Sequence, residues 1–231
     1  MKANCILLCW LLCSLAGYSQ QFEIGLQPML GTNLTTASYC ASCVFLSTPR
    51  NRQYVYATNA SMVADFGINL DYQTKAKKKS TFYTANKIGY NFRTTKINAK
   101  YDAEQIQTKS EIHSLYFQNL VGAVIQQKYS IVAGFRHQFV VSQSPYSLQN
   151  GQFYSSQIKV YQPFFVTEFG YRITMRNITF TPAFSYAISL IPNKVSAKLY
   201  NKSFNYSILE NQFSLGCKII FIPKKAKIQR K

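Results

Sequence analysis

From Ile158 to Leu190 large apolar side chains alternate with polar or small ones, and this period of two predicts a pair of β-strands. Tyr161, Phe165, Phe169 and Tyr171 fall on one face of the first strand, with Gln162, Glu168 and Arg172 on the other. After a turn at Thr174-Met175-Arg176-Asn177 the pattern resumes as Ile178, Phe180, Pro182, Phe184, Tyr186 and Ile188 against Thr179, Thr181, Ala183, Ser185 and Ala187. A strand with lipid on its bulky face and a narrow, wetted interior on its small polar face needs this arrangement. Hydrocarbon leaves no backbone polar group unpaired and forces a sheet to close.

Six further segments alternate in the same sense, giving eight predicted strands. The first, Gln21 to Gly31, puts Phe22, Ile24, Leu26 and Leu30 outward. The second, Ala60 to Gln73, separates Met62, Ala64, Phe66, Ile68, Leu70 and Tyr72 from Asp65, Gly67, Asn69 and Asp71. The third is Ser80 to Arg93. The fourth, Glu111 to Ile125, is the least regular, since Ile112 and Leu120 fall out of phase and call for a bulge. Tyr129 to Val141 is the fifth and Glu210 to Ile222 the last. Connections two, four and six are short, whereas Thr32 to Ala57, Thr94 to Lys109, Ser142 to Gln157 and Pro192 to Ser207 read as long loops. Short periplasmic turns and long outer loops are the habit of outer-membrane barrels. Tyr72, Tyr90, Tyr129, Tyr161 and Tyr171 lie near strand ends, as an aromatic girdle requires. The expected fold is all-β, an eight-stranded antiparallel up-and-down transmembrane β-barrel spanning 21–223.

The ends agree with a membrane destination. Lys2, an apolar run from Cys5 to Leu15 and the small residues Ala16, Gly17 and Ser19 read as a signal peptide over 1–20. Cys13 follows Leu11-Leu12, which argues against a lipoprotein anchor. Both mature termini are expected in the periplasm, with 224–231 a basic tail. The net charge of +18 gathers in turns and at the end, as in Lys75, Lys77, Lys78, Lys79 and Lys224, Lys225, Lys227, Arg230, Lys231. Aromatics that face away from these charges argue against nucleic acid. Anionic lipid or lipopolysaccharide is the expected contact, with periplasmic or surface proteins as further partners.

The chemistry-bearing residues are few. Cys40 and Cys43 form a C-x-x-C without a second pair; a local disulfide is the preferred reading, and no metal site is expected. Cys217 falls on the apolar face of the last strand. Glu23, Asp65, Asp71, Lys87, Arg136, Glu168, Arg172 and Lys218 fall on inward positions, four acids and four bases. An eight-stranded lumen is just wide enough for side chains, so these predict a charge network that plugs the barrel, with a narrow ion path as the competing reading. No catalytic residue and no cofactor is expected. His113 and Ser114 are adjacent and point to opposite faces; His113 shares a face with Glu111, and His137 lies among outward apolar residues. A soluble lipocalin-like barrel also alternates, but the polar face here is rich in glycine, which suits an interior better than a wetted surface.

The end of the leader at Ser19-Gln20-Gln21, the Glu111-Ile112 strand start, the Gln126-Gln127-Lys128 turn leading into Tyr129 to Phe135, and the terminal Phe221 together resemble the small outer-membrane barrels of Bacteroidetes, the PorT-like group. The resemblance covers the whole mature chain. It implies the barrel fold and outer-membrane location, and for some members a place in secretion or gliding machinery. The tail after Phe221 departs from barrels that end at the aromatic residue.

Overall fold

The computed structural model describes residues 20–39, 58–74, 80–101, 104–144, 146–148, 153–154, 160–175, 178–199 and 202–221. The expected signal peptide, Cys40, Cys43, the lysines at 75–79 and the tail 224–231 lie outside the described residues. Its strands are β1 (Gln20–Tyr39), β2 (Thr58–Thr74), β3 (Ser80–Tyr101), β4 (Glu104–Ile125), β5 (Tyr129–Gln143), β6 (Tyr146–Leu148), β7 (Phe153–Tyr154), β8 (Tyr161–Tyr171), β9 (Ile173–Met175), β10 (Ile178–Ser189), β11 (Asn193–Leu199) and β12 (Lys202–Phe221). Eight of them, β1, β2, β3, β4, β5, β8, β10 and β12, pair antiparallel with their neighbours, and β12 closes on β1.

The stagger of this barrel can be followed residue by residue. Ile24 pairs with Leu70, Leu70 with Asn86, Asn86 with Asn119, Asn119 with Phe135, Phe135 with Phe165, Phe165 with Ile188, Ile188 with Asn211, and Asn211 with Leu34. One circuit therefore returns to β1 ten residues higher, from Ile24 to Leu34. For eight strands this stagger sets a tilt of about 40° and a lumen that side chains fill.

Phe22, Leu30, Ile68, Ile88, Val121, Phe135, Phe169 and Leu215 are all exposed on the outer wall. Aromatic rings close this belt at both ends: Tyr129 and Tyr171 pair edge to face at one end, and Phe139 lies against Tyr161 at the other. Ten residues separate Tyr129 from Phe139, and ten separate Tyr161 from Tyr171. At about 3.3 Å per residue and a tilt of about 40° the belt is roughly 25 Å tall, the height of an outer-membrane barrel's apolar band.

Several expectations need correction. Thr94 to Lys109 is no loop. β3 and β4 stay paired from Thr94–Glu111 up to Tyr101–Glu104, making a tall hairpin. β1 continues to Tyr39, β6 and β7 lie within 142–157, and β11 pairs with the upper part of β12 inside 192–207. These segments lack alternation because backbone pairing by itself needs no apolar face, so the ladder continues where the sequence shows no period of two. Thr174 and Met175, expected in a turn, belong to β9. Tyr72 keeps its outward phase, paired with the exposed Phe22, but is itself buried against that ring.

Ile112 and Leu120 are in phase after all, since both point inward and are buried. The irregularity in this pair of strands is a register shift between His113 and Ser114, where Val141 of β5 is the extra residue. Leu120 joins Tyr83, Ala85, Val124, Val132, Phe164, Val166 and Ala187 in an apolar cluster inside the barrel, so the lumen is not polar all round. The turn between β4 and β5 has Gln126 and Gln127 both at positive φ (51° and 59°), closed by the Lys128 N–H donating to the Ile125 carbonyl at 3.0 Å. Positive φ at both central positions is the mark of a type I′ turn.

Candidate functional site: the charged lumen

Every inward position on the barrel wall alternates with a lipid-facing one, so strand phase alone delivers a side chain to the lumen. Ten charged residues among those described are buried there: Glu23, Asp65, Asp71, Glu168 and Glu210 with Lys87, Arg93, Arg136, Arg172 and Lys218. Acids and bases balance. The other three acids of the chain are Asp102, Glu104 and Glu111, so these ten residues contribute nothing to the net charge of +18.

The charges form four tiers. At the end of the short turns, Arg172 donates to Glu23 at 2.5 Å and to Gln73 at 2.8 Å. Its backbone N–H donates to the Lys128 carbonyl at 2.6 Å, one residue past the last β5–β8 pair, Tyr129–Tyr171, while the other edge of β8 loses its β10 partner opposite Pro182, which has no N–H to give. Next, Lys218 donates to Asp71 at 3.1 Å and lies 3.5 Å from Glu168; Tyr83 donates to Asp71. Gln27 completes this tier with a 3.0 Å hydrogen bond to Glu168.

The third tier is built on Asp65. Lys87 approaches one carboxylate oxygen at 2.8 Å and Arg136 the other at 3.0 Å, and the Tyr116 hydroxyl donates to the first. Both cations lie over the Tyr116 ring, Lys87 at 5.3 Å and Arg136 at 4.6 Å from its centre. The ring fits because Gly67 and Gly89 face each other beneath it: a Cβ on Gly67 would stand 2.7 Å from the Tyr116 hydroxyl. Arg136 also donates to Gln118 at 2.8 Å.

The fourth tier joins opposite walls near the tall hairpins. Arg93 and Glu210 pair at 3.0 Å, with Thr95 donating to Glu210 at 3.0 Å and Arg93 donating to Gln162. Thus all eight expected interior charges lie in the lumen, grouped as Glu23–Arg172, Asp71–Lys218–Glu168 and Lys87–Asp65–Arg136. Arg93 and Glu210 add to the expected eight; they are the end residues of their predicted strands, and their phase, in step with Lys87 and Lys218, marks them as inward.

The two histidines face outward. His137 shares a 2.6 Å hydrogen bond with Tyr161, and His113 is bonded to Tyr90, both at the outer aromatic girdle. Ser114 points inward and is buried, so His113 and Ser114 are on opposite sides of the wall. Cys217 lies on the outer wall.

Some buried polar atoms in the lumen have no protein partner: Glu23 Oε2, Asp71 Oδ1, both amide atoms of Asn69, Asn91 Nδ2, Gln138 Oε1, Gln162 Nε2 and Gln212 Nε2 among them. Each costs about 1–3 kcal/mol if left dry. Such atoms are a demand for water.

No protein-family model matches the chain, and no curated protein sequence is similar to it. Among solved structures, the outer membrane protein OprG from Pseudomonas aeruginosa aligns at 10% identity over 88% of this chain and 96% of its own, with a TM-score of 0.41. Neisserial surface protein A aligns at 11% identity over 85% and 96%, with a TM-score of 0.35. Ail, the attachment invasion locus protein of Yersinia pestis, aligns at 13% identity over 87% and 99%, with a TM-score of 0.32. The barrel assignment rests on the strand register and not on these likenesses.

Proposed function

We propose that the protein is a non-enzymatic integral outer-membrane β-barrel. Its polar interior is plugged by the charge tiers, and its long outer loops and tall hairpins contact surface polysaccharide or partner proteins. One observation carries this reading: a belt of exposed apolar side chains about 25 Å tall surrounds a lumen that buries paired charges. Water does not favour that distribution, and a bilayer does. A soluble lipocalin-like barrel is disfavoured for the same reason, because it would keep its apolar face inside. The reading puts both mature termini and the short turns in the periplasm, and it retains the PorT-like resemblance as a guide to location.

Heat-modifiable gel mobility of the detergent-extracted outer-membrane fraction is the test. A shift between boiled and unboiled protein is expected; protein in the soluble fraction with no shift overturns the reading.

A second role, as a component of an envelope secretion or gliding apparatus, is favoured by the charge at the short-turn end. Lys75, Lys77, Lys78, Lys79, Lys128, Arg176 and the five basic residues of the tail lie there in sequence, without an acid among the turns and tail. Periplasmic proteins that co-purify with the full chain and are lost on deletion of 224–231 support it. Unchanged co-purification refutes it.

A further inference from the structure

The outer wall carries a furrow beside Pro182, and strand register gives its course. β8 leaves β10 after the pair Gly170–Ala183, and β9 takes β10 again at Ile173–Phe180, so two rungs are missing where Tyr171 and Arg172 face Pro182 and Thr181. Phe169, Phe184 and Leu215 stand in one outward row above the gap, and Tyr171 and Pro182 stand below it. The floor is the backbone of Gly170, Ala183 and Gly216, side by side on β8, β10 and β12. Ala183 turns its methyl inward, so no side chain rises from this floor. The space above it is a cavity of about 480 Å³.

Each step along paired residues from β5 to β8, β10 and β12 climbs away from the short turns, since a circuit in this direction returns ten residues higher on β1. With strands about 4.8 Å apart and tilted by about 40°, the climb is about 3 Å per strand. The furrow therefore starts at the girdle pair Tyr129–Tyr171 and rises about 9 Å into the apolar belt by Leu215. Lys128 stands at its foot, exposed in the turn and next to Tyr129, with its carbonyl held by the Arg172 N–H. It makes no ion pair among the described residues. Five of the chain's eight acids are paired inside the lumen, and the other three lie in sequence within 102–111, the stretch of the tall β3–β4 hairpin. The foot of the furrow thus joins an apolar recess to an unopposed cation.

We propose that this furrow is a site for one anionic phospholipid of the periplasmic leaflet, with an acyl chain over Gly170, Ala183 and Gly216 and its phosphate at Lys128. The proposal rests on the membrane-barrel reading above and deepens it by naming a lipid partner and its place on the wall. A recess that no side chain fills forfeits dispersion contacts, and an acyl chain rising obliquely from the interface restores them. Chain and headgroup then fall in the order the register demands, phosphate at the girdle and hydrocarbon above it. One lysine near an anionic headgroup favours it over a neutral one by about fivefold in affinity.

The test is native mass spectrometry of the detergent-folded full chain, loaded with equal amounts of phosphatidylglycerol and phosphatidylethanolamine that share the same acyl chains. Wild type is expected to retain one phosphatidylglycerol in preference to phosphatidylethanolamine. Lys128→Gln is expected to lower the ratio of the two adducts about fivefold. Leu215→Trp, which sets an indole over the upper end of the furrow, is expected to lower retention of both lipids. A wild type that retains the two lipids equally overturns the proposal. So does a preference that survives Lys128→Gln, which would belong to the basic turns and tail at large, or a Leu215→Trp barrel that retains lipid as wild type does. If Leu215→Trp does not reach the heat-modifiable form, Lys128→Gln decides alone. Wild-type protein without heat modifiability fails the membrane reading instead, so the two failures are distinguishable.

Discussion

Replacing Glu210 by Gln keeps the shape of the side chain and removes the only carboxylate paired with Arg93. Arg93 is fully buried, and its guanidinium meets both oxygens of Glu210, Nε at 3.1 and 3.2 Å and Nη2 at 3.0 Å. Thr95 and Asn33 add hydrogen bonds to the same carboxylate. Breaking a buried pair from one side strands a charge and costs about 3–5 kcal/mol. At about 1.4 kcal/mol per decade this is a fall of two to three and a half decades in the folding equilibrium constant.

The double variant R93M/E210M removes both charges at once. It loses the hydrogen bonds to Thr95, Asn33 and Gln162 but buries no lone ion, so it is expected within about 2 kcal/mol of wild type. The assay is urea unfolding of detergent-folded barrel, followed by the heat-modifiable band and by far-ultraviolet circular dichroism. The single tryptophan is Trp10, in the segment expected to be cleaved as a signal peptide, so fluorescence of a chain without that segment would report tyrosines. An E210Q variant within about 1 kcal/mol of wild type refutes the reasoning, and so does a double variant as unstable as E210Q.

Three other predictions follow from the wall and its turns. Ile88 faces outward near the middle of the belt and Tyr129 at its edge; I88R is expected to cost about 2–4 kcal/mol and Y129R about 0–1, and equal costs in a reversible folding titration would refute the bilayer placement. A Cβ on Gly89 would strike the backbone carbonyl of Phe66, whereas one on Gly67 would meet the movable ends of Lys87 and Tyr116. G89A is therefore expected to lose about 1–3 kcal/mol and G67A less, a ranking that melting temperatures check. Gln126 and Gln127 hold left-handed backbone at a cost of about 1 kcal/mol each, so Q126N/Q127G is expected to raise the melting temperature, and a fall would refute the turn assignment.

The period of two, unbroken through Met62 to Tyr72 and Ile178 to Ile188, determined by itself that these segments are strands with one face for lipid. Alternation is a local property, set by a pleat that throws successive side chains to opposite sides, so it needs no knowledge of the partner strand. The same phase placed Glu23, Asp65, Asp71, Lys87, Arg136, Glu168, Arg172 and Lys218 inside. It places Arg93 and Glu210 inside too, although each is the terminal residue of its predicted strand, where alternation by itself stops fixing a face.

Above the girdle the signal vanished, because backbone pairing alone imposes no alternation; Thr94–Tyr101 and Glu104–Lys109 are paired strand all the same. What only the tertiary structure decided is which inward charges meet. Asp65 reaches Arg136, three strands away, and Arg93 reaches Glu210 across the mouth, because the ten-residue stagger sets their heights. Stagger is a property of the closed wall as a whole, summed over every pair of strands, and no single strand's sequence contains it.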